Sequence, residues 1–573
     1  MQLNEEAEKA ARKFAVKNAI DYGKAQPGAV ISKLLGIYPE LKENMKDVSK
    51  EVGAIVKEVN GLGKNDLEKA YAPFRKEFEE REIKRAEETS KPRMILEGVQ
   101  EGNFATRYAP EPNGYLHIGH AMNIFLGQEF AKMYKGKAFL YFDDTNPEKE
   151  KQDYVDAIKK DLEWLGAKFD QEYYASDSIE KVYDYARKLI AKGGAYACMC
   201  DDATRKENRL HGIACGHRET PADDNLKIFE DMIRGKYGEK EVAIRFKGDM
   251  KASNTTMRDP TIFRIKESEH YRQGNKYRAW PTYDFNTPIQ DSIHGVTDAF
   301  RSKEYELRDY LYSAILEALD LRIPRIHPYA RLAIKDNMTS KRQIVPLINE
   351  HILKGFDDPR LVTLSGLRNR GVSAEAIRNF VLRFGTGKSE RKIDIGMLLS
   401  ENRKIIDRTS KRLFFVKEPV RLEIGSMTEE QKMVKLRLHP TEDLGYKEYT
   451  LSNIFYISGE DANAIENSSV VLLKDLYRVR ITKAGNVIKG EIVNSSENVP
   501  VIQWVNEGNY AQGTIKQIEP LLKNNELNPD SMKDVPGYIE KYVDKLKDGE
   551  TVNLERMGFY KLDSKQERIF FSL

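Results

Sequence analysis

The chain has 573 residues, too many for a single hydrophobic core and enough for roughly three to five domains. Hydrophobic residues make up 40% and charged residues 32%, the profile of a soluble globular protein, and no run approaches the roughly 18 apolar residues of a membrane span. A net charge of +3 neither demands nor excludes a nucleic-acid partner, so any basic surface must be local; three cysteines in the whole chain argue against a disulfide framework and for a reducing, cytoplasmic setting.

Residues 1–100 read as an appended helical module. "EEAEKAARKFAVKNAIDYG" carries apolar residues at helical spacing and stops at Gly23, and "NDLEKAYAPFRKEFEEREIKRAEE" reads as a second, heavily charged helix. Its composition leaves a partner-docking or RNA-contacting role open beside the plain reading of a solvated module. The opening stretch mixes acids with bases and has no apolar segment, so it does not read as a secretion signal.

The texture changes near residue 101. "NFATRYAP" reads as a strand, followed by turn residues Glu111-Pro112-Asn113-Gly114 and then His117-Ile118-Gly119-His120. "AMNIFLGQEFAKMYKG" predicts a helix ending at Gly136, and "KAFLYFDDTNP" a second strand with Asp143 and Asp144 at its end. Such a unit favours a parallel sheet, and ligands of open parallel sheets sit beyond the carboxyl ends of the strands, where both stretches fall.

Residues 151–195 read as helical. Residues 196–279 are broken and mixed and hold all three cysteines. Alternating α/β texture returns with "YRAWPTYDFNTPIQDSIHGV". Residues 345–412 are mostly helical, and from 413 many short strands with turn signals suggest barrels or sandwiches.

A turn that runs into a helix N-terminus collects unpaired backbone N–H groups and the positive end of the helix dipole, which suits phosphate. Two imidazoles there can donate to phosphate oxygens as charge builds, and Gly119 clears space for a flat base. The plain alternative is a helix start with two partly exposed histidines. A second stretch, "ARLAIKDNMTSKRQI", places Lys341 in a polar loop about 220 residues further on, a point charge on a flexible stem.

Together, "HIGH" and the lysine loop resemble the two signatures of class I aminoacyl-tRNA synthetases. "PEPNGYLHIGHA", "FDDTNPEKE", "WPTYDF", "DDPRLVTLSGLRNRG", "VIQWV" and "ERMGFYKLD" narrow the resemblance to the glutamyl- and glutaminyl-tRNA synthetase subfamily, of archaeal type because the tail is β-rich. Thr339 stands where that subfamily usually has methionine, Met338 where it often has lysine or valine, and Tyr141 where it often has arginine.

The resemblance implies a multidomain α/β protein. Its parts are an N-terminal helical module (1–100), a Rossmann-type catalytic domain in two halves (101–189 and 280–344) and an acceptor-binding insertion (190–279). A helical stem-contact region (345–412) and a β-barrel anticodon-binding region (413–573) follow. It implies ATP with Mg²⁺, L-glutamate and tRNA(Glu) as partners, tRNA(Gln) as a second acceptor in the non-discriminating enzymes, and a monomer.

Site roles carried over with the resemblance place Glu111, Pro112, Asn113, His117, Gly119 and His120 around ATP. Arg331 and Leu332 border the adenine, Ser302 the ribose, and Thr339, Ser340 and Lys341 the phosphates, with His117, His120 and Lys341 catalytic. Asp143 would take the substrate ammonium, helped by Arg107 and Tyr283; the plain alternative for Asp143 is a turn cap.

Arg301 carries the choice of amino acid. The matching position is commonly cysteine in glutaminyl enzymes and arginine in glutamyl ones. A guanidinium clamps a γ-carboxylate, and glutamine would leave that charge poorly paired at a cost of roughly 2–5 kcal/mol. The plain alternative is a surface arginine near a helix start.

Cys198, Cys200, Cys215 and His217 form a C-x-C…C-x-H cluster. Three thiolates and an imidazole complete a closed, structural tetrahedral Zn²⁺ site; the alternative is reduced thiols packed in a small core. Some glutamyl enzymes carry a similar site. Arg360, Arg368 and Arg370 stand around a helix start in a stretch that resembles the helical region leaning on the inside of the tRNA L, the plain alternative being a solvated helix with capping residues, and the basic loops of "YRVRITKAGNVIK" could meet unpaired anticodon bases. The competing readings are a glutaminyl enzyme, a tRNA-binding protein with a dead site, and a nucleotidylyltransferase for a small molecule.

Overall fold

The structure, a computed structural model, describes residues 5–38, 41, 44–74, 95–387, 391–484 and 487–573. The chain divides into two compact units, Met1–Pro92 and Arg93–Leu573. No helix among the described residues is long and apolar enough to cross a membrane.

The first unit packs helices α1 (Glu5–Tyr22), α2 (Pro27–Ile37), α3 (Met45–Asn60) and α4 (Lys64–Tyr71) around a small core. Gly23 ends α1 because its φ of +77° suits a residue without Cβ. Buried Val48, Val52, Ile55, Val56 and Val59 form one stripe of α3, spaced as a helix face requires. Residues 75–88 of the charged helix expected here lie outside the described residues.

In the second unit, β1 (Ala105–Tyr108), α5 (Ile118–Met133), β2 (Lys137–Phe142), α6 (Gln152–Trp164), β3 (Gln171–Tyr174) and α7 (Ile179–Ala191) alternate, and β1, β2 and β3 are parallel. The strand β3 breaks a region expected to be wholly helical. It is short and half-exposed on the sheet edge, so it shows no apolar alternation.

An antiparallel four-stranded sheet follows: β4 (Ala195–Cys198), β5 (Ala243–Phe246), β6 (Thr261–Ile265) and β7 (Ala279–Pro281), with α8 (Asp202–His211) and α9 (Ala222–Ile233) between β4 and β5. The chain then returns through α10 (Tyr283–Ile293), β8 (Asp298–Ser302), α11 (Glu306–Ala318) and β9 (Arg325–Tyr329). The strands β8 and β9 are parallel. Thr297 stitches them to β1: its N–H donates to Ala105 O at 2.8 Å, and its carbonyl accepts from Arg325 N at 2.8 Å. The order is therefore β3-β2-β1-β8-β9. The connections leave β1 in opposite directions, and the crevice between β1 and β8 is the topological switch point.

Next come β10 (Leu332–Ile334), α12 (Lys341–Asn349), α13 (Leu364–Arg370), and helices Ala374–Leu382 and Ile395–Ile406. Arg360, Arg368 and Arg370 are tied into the fold rather than set on a solvated helix face. Arg360 donates to Asp358, to Ile352 O at 2.6 Å and to Ser531 Oγ at 3.3 Å. Arg368 pairs with the buried Asp161 at 3.2 Å over the Trp164 ring, and buried Arg370 donates to Ser572 O. Each is used internally, because "RLVTLSGLRNRG" sits where the sheet domain, the helices and the tail meet.

The tail holds two seven-stranded sheets. The edge strands of one are Lys411–Leu413 and Phe415–Lys417, and of the other Val501–Ile502 and Val505–Asn506. In each, both edges belong to one continuous stretch of chain, so the sheet closes into a barrel and leaves no free edge. Part of "YRVRITKAGNVIK", residues 485 and 486, lies outside the described residues.

One tail segment reaches the lysine loop. Leu521 is fully buried with Ile344, Leu353 and Leu361, with Met338 half-buried against them, and Leu522 N–H donates to Asp336 O at 3.1 Å. Met338 thus fills an apolar niche. Leu521→Ala is expected to cost about 2–4 kcal/mol locally and to speed hydrogen exchange of the 338–344 amides by roughly 10²-fold, read by mass spectrometry.

Candidate active site

A cleft of about 360 Å³ opens at the switch point, walled by the ends of β1 and β8 and by the turn and first residues of α5. Arg107, Glu111, Asn113, His117, Gly119, His120, Asp143, Tyr283, Arg301, Ser302, Arg331 and Leu332 all line it. Pro112, Thr339, Ser340 and Lys341 stand outside its walls. Pro112 is buried and shapes the turn, and its carbonyl accepts from Lys151 N at 3.2 Å.

The helix α5 begins at Ile118, earlier than expected, because the histidines cap it. His117 is the N-cap: its Nδ1 accepts from Gly119 N–H at 3.0 Å, while His120 Nδ1 accepts from His117 N–H at 3.0 Å. The reciprocal bonds make a capping box with imidazoles in place of the usual hydroxyl and carboxylate. With each Nδ1 an acceptor, each ring proton sits on Nε2, which leaves two Nε2–H donors for the cleft. Burial, then His120 and Arg331, hold His117 well below the usual imidazole range; burial and Arg331 bring His120 to about 4. Both rings are neutral at physiological pH. A Cβ on Gly119 would lie 2.8 Å from His117 Cε1, so Gly119 leaves room for the ring itself. The segment 362–364 splints the turn: Ile118 N–H donates to Val362 O, and Leu364 N–H to Leu116 O.

Asp143 directly follows β2 and is buried. Asn286 Nδ2 donates to it at 2.9 Å and Thr287 Oγ1 at 3.2 Å; Tyr141 Oη accepts from the same Asn286 amide at 2.7 Å. Burial, then Glu111 and Asp144, raise Asp143 to about 7. Asp144 is turned to other work, accepting from Ser176 N and Oγ and Tyr271 Oη.

Arg107 is clamped at two points by Asp291, 2.9 and 3.1 Å, and donates a third bond to Phe300 O. Burial works against its charge, and Asp291 more than offsets this, so it titrates above its usual range. Arg301 donates to Asp309 and, at 3.2 Å, to Tyr283 Oη, while its buried Nε–H has no partner.

Lys341 opens α12 and reaches back to the histidine turn, donating to Asn113 O at 3.1 Å and Tyr154 Oη at 2.6 Å. Arg331 pairs with Glu304, and the same Glu304 donates its N–H to Ser302 Oγ at 3.4 Å.

The cysteine cluster lies at the end of β4. Cys198–Cys215 and Cys200–Cys215 Sγ separations are 3.8 and 3.4 Å, and His217 Nδ1 lies 3.1 Å from Cys215 and 3.7 Å from Cys200. Burial, then Cys215 and Cys198, push the Cys200 thiol up to about 12. Burial alone would raise Cys198, yet the Cys200 backbone N–H and the Arg245 guanidinium hold it below the usual thiol value.

Residues 103–407 match the catalytic domain of the class I tRNA synthetases (E and Q), and residues 410–497 and 501–563 match that family's two anti-codon binding domains. The chain belongs to this family. It is 41% identical to the glutamate–tRNA ligase of Nitrosopumilus maritimus, over 99% of this chain and 100% of that protein. Identity is 36% to the namesake proteins of Cenarchaeum symbiosum (98% of both chains) and Pyrococcus furiosus (97% of both).

The synthetase cleft also uses residues that the sequence did not mark. Asn286, Thr287 and Asp291 share one face of α10 with Tyr283, at helical offsets of three, four and eight. Asp309 and Tyr312 come from α11, where residue type alone does not tell that Asp309 answers Arg301 or that Tyr312 donates to Asp291. Asn123, on α5, donates to Phe300 O and Tyr329 Oη, and its buried Oδ1 has no partner. No spacing rule would have found these pairings.

Proposed function

We propose that the chain is a glutamate–tRNA ligase. Glutamate and ATP give glutamyl-adenylate and pyrophosphate; the glutamyl group then passes to the 2′-OH of the terminal adenosine of tRNA(Glu), releasing AMP. Arg301 carries the choice of amino acid: a guanidinium buried in the cleft wall with an unpartnered N–H calls for a ligand oxygen, and a γ-carboxylate supplies one with matching charge. The amide of glutamine would supply no charge there.

In this reading the substrate ammonium goes to Asp143, and Arg107 with Tyr283 closes the pocket around the amino acid. The Nε2–H groups of His117 and His120 stabilise charge at the α-phosphate, and Lys341 moves from Asn113 to join them. Glu111, Pro112 and Asn113 shape the turn beside ATP; Arg331 and Leu332 take the adenine and Ser302 the ribose, while Thr339 and Ser340 carry the lysine. Mg²⁺ accompanies the ATP phosphates. Positioning and electrostatics supply the catalysis, with no covalent enzyme intermediate. The reading extends to tRNA(Gln) as a second acceptor, on the resemblance to the archaeal-type enzymes alone.

A structural Zn²⁺ suits Cys198, Cys200, Cys215 and His217. Thiolates at about 2.3 Å from a tetrahedral Zn²⁺ stand about 3.8 Å apart; the cluster's sulfurs are at 3.4 and 3.8 Å, and its four candidate ligand atoms lie within 4.8 Å of one another. A doubly charged ion would also offset the cost of ionising three adjacent thiols. Purified protein is expected to hold about one zinc per chain, and Cys198→Ser well under half of that, by metal analysis. Substoichiometric zinc in the unaltered chain ends this assignment.

The deciding experiment offers the purified chain ATP, glutamate or glutamine, and each tRNA separately. Glutamyl-tRNA(Glu) is the expected product. Formation of glutaminyl-tRNA instead would overturn the reading of Arg301, and no product with either amino acid would favour an RNA-binding protein with a dead site.

A further inference from the structure

We infer that Asp309 is a positioning residue that fixes how Arg301 presents its free N–H groups to the side chain of the amino-acid substrate. The inference rests on the assignment of Arg301 to that side chain.

The two arginines of the cleft are held in different ways. Asp291 grips Arg107 through both Nε and Nη2, and Phe300 O takes Nη1, so the donors of Arg107 are largely spent. Asp309 grips Arg301 through Nη1 alone, and Tyr283 Oη takes one bond from Nη2. A guanidinium has five N–H groups. Two are used, so three remain, and the buried Nε–H is one of them. The Arg301 side chain is only 3% exposed, so the unpartnered Nε–H has little bulk water to fall back on.

Besides Asp309, Arg301 is held by one neutral hydrogen bond, to Tyr283 Oη at 3.2 Å, and by ring walls. The rings of Tyr312, Tyr305 and Tyr283 stand 5.1, 5.5 and 5.8 Å from its central carbon, and a ring wall does not set the rotation of a guanidinium in its own plane. The Asp309 carboxylate does, because it is a charged acceptor at one fixed Nη. It also balances the buried cation before substrate arrives, at one point only, so the remaining donors stay open for a second carboxylate. Asp309 comes from the first turn of α11, eight residues after Arg301, so the turn between β8 and α11 sets the distance between them.

The test uses the full chain in aminoacylation of tRNA(Glu), with Asp309→Ala, Asp309→Asn and Arg301→Ala. Asp309→Ala is expected to raise KM for glutamate about tenfold or more, with kcat within about threefold and KM for ATP unchanged. Asp309→Asn keeps an acceptor oxygen in place without the charge and is expected to recover part of the loss, with a KM between those of Asp309→Ala and the unaltered chain. An unchanged glutamate KM in Asp309→Ala overturns the inference. So does an equal loss toward glutamate and ATP with a lowered melting temperature, which marks a structural role only, and so does Asp309→Asn failing as badly as Asp309→Ala. Arg301→Ala separates the two claims: if it loses glutamate while Asp309→Ala does not, only Asp309 is misassigned; if it keeps glutamate, the reading of Arg301 falls first.

Discussion

His120→Ala is expected to lower kcat for aminoacylation by about 10²–10³, the usual cost of one preorganised donor at a site of developing charge. The reason is the direction of the ring proton. His120 Nδ1 is occupied by the His117 backbone N–H, so its Nε2 carries the proton and donates. The ring is neutral, held near 4, so it acts through a fixed dipole rather than a full charge, and kcat should show no histidine limb between pH 6 and 8. The same substitution uncaps the helix, at about 1 kcal/mol. His120→Glu distinguishes the two effects. A carboxylate at this third helical position accepts the His117 N–H as in an ordinary capping box, so stability should hold. It would also set a negative charge against the phosphates, so activity should fall at least as far as with alanine. Thermal melts and saturating kinetics on both variants check this; an active His120→Glu would show that the ring serves the helix and not the reaction.

That double use explains why the histidine stretch was legible in the sequence while its geometry was not. Two histidines after a turn and before an apolar helix marked the place. That they cap the helix themselves depends on tautomer and on backbone donors, which leave no trace in residue type. The strand–helix alternation from 105 to 142 was readable from its apolar pattern, whereas β3 was hidden because only four half-exposed residues form it. Charged residues misled most. Arg360, Arg368 and Arg370 look like an RNA-facing edge, yet they pair inside the fold, since a linear motif cannot tell a solvated arginine from one answered by a carboxylate far off in the chain, as Arg368 is by Asp161. Asp291, 184 residues from Arg107, was missed for the same reason seen from the other side, and Asp309, eight residues after Arg301, because an acid in the first turn of a helix reads as ordinary.

Asp143→Asn is expected to abolish use of glutamate and yet to stabilise the fold above neutral pH. In the folded chain Asp143 titrates at about 7 against an ordinary 3.8, burial being the main cause and Glu111 the next. Between those values the folded carboxyl holds a proton that the unfolded one has lost. Folding stability therefore falls as pH rises from about 4 to about 7, and the full penalty, at most about 4 kcal/mol, persists above that. Asparagine carries no such penalty, so its advantage in melting temperature should vanish near pH 4 and reach its maximum above pH 7. Asp144 and Glu150 are also raised by burial, but they are present in both proteins, and the difference between the two melting curves isolates Asp143. In the proposed reading the substrate ammonium repays the burial: it would favour the charged carboxylate, so kcat/KM for glutamate should climb with pH by up to about tenfold per unit below 7 and level off above it. The histidines stay neutral across that range and cannot produce this limb. Stability lost at this carboxylate together with a glutamate limb near pH 7 would mark Asp143 as a binder of the ammonium rather than a turn cap. A melting difference that grows toward acid pH, or glutamate kinetics flat from pH 5 to 8, would place Asp143 among the turn caps instead.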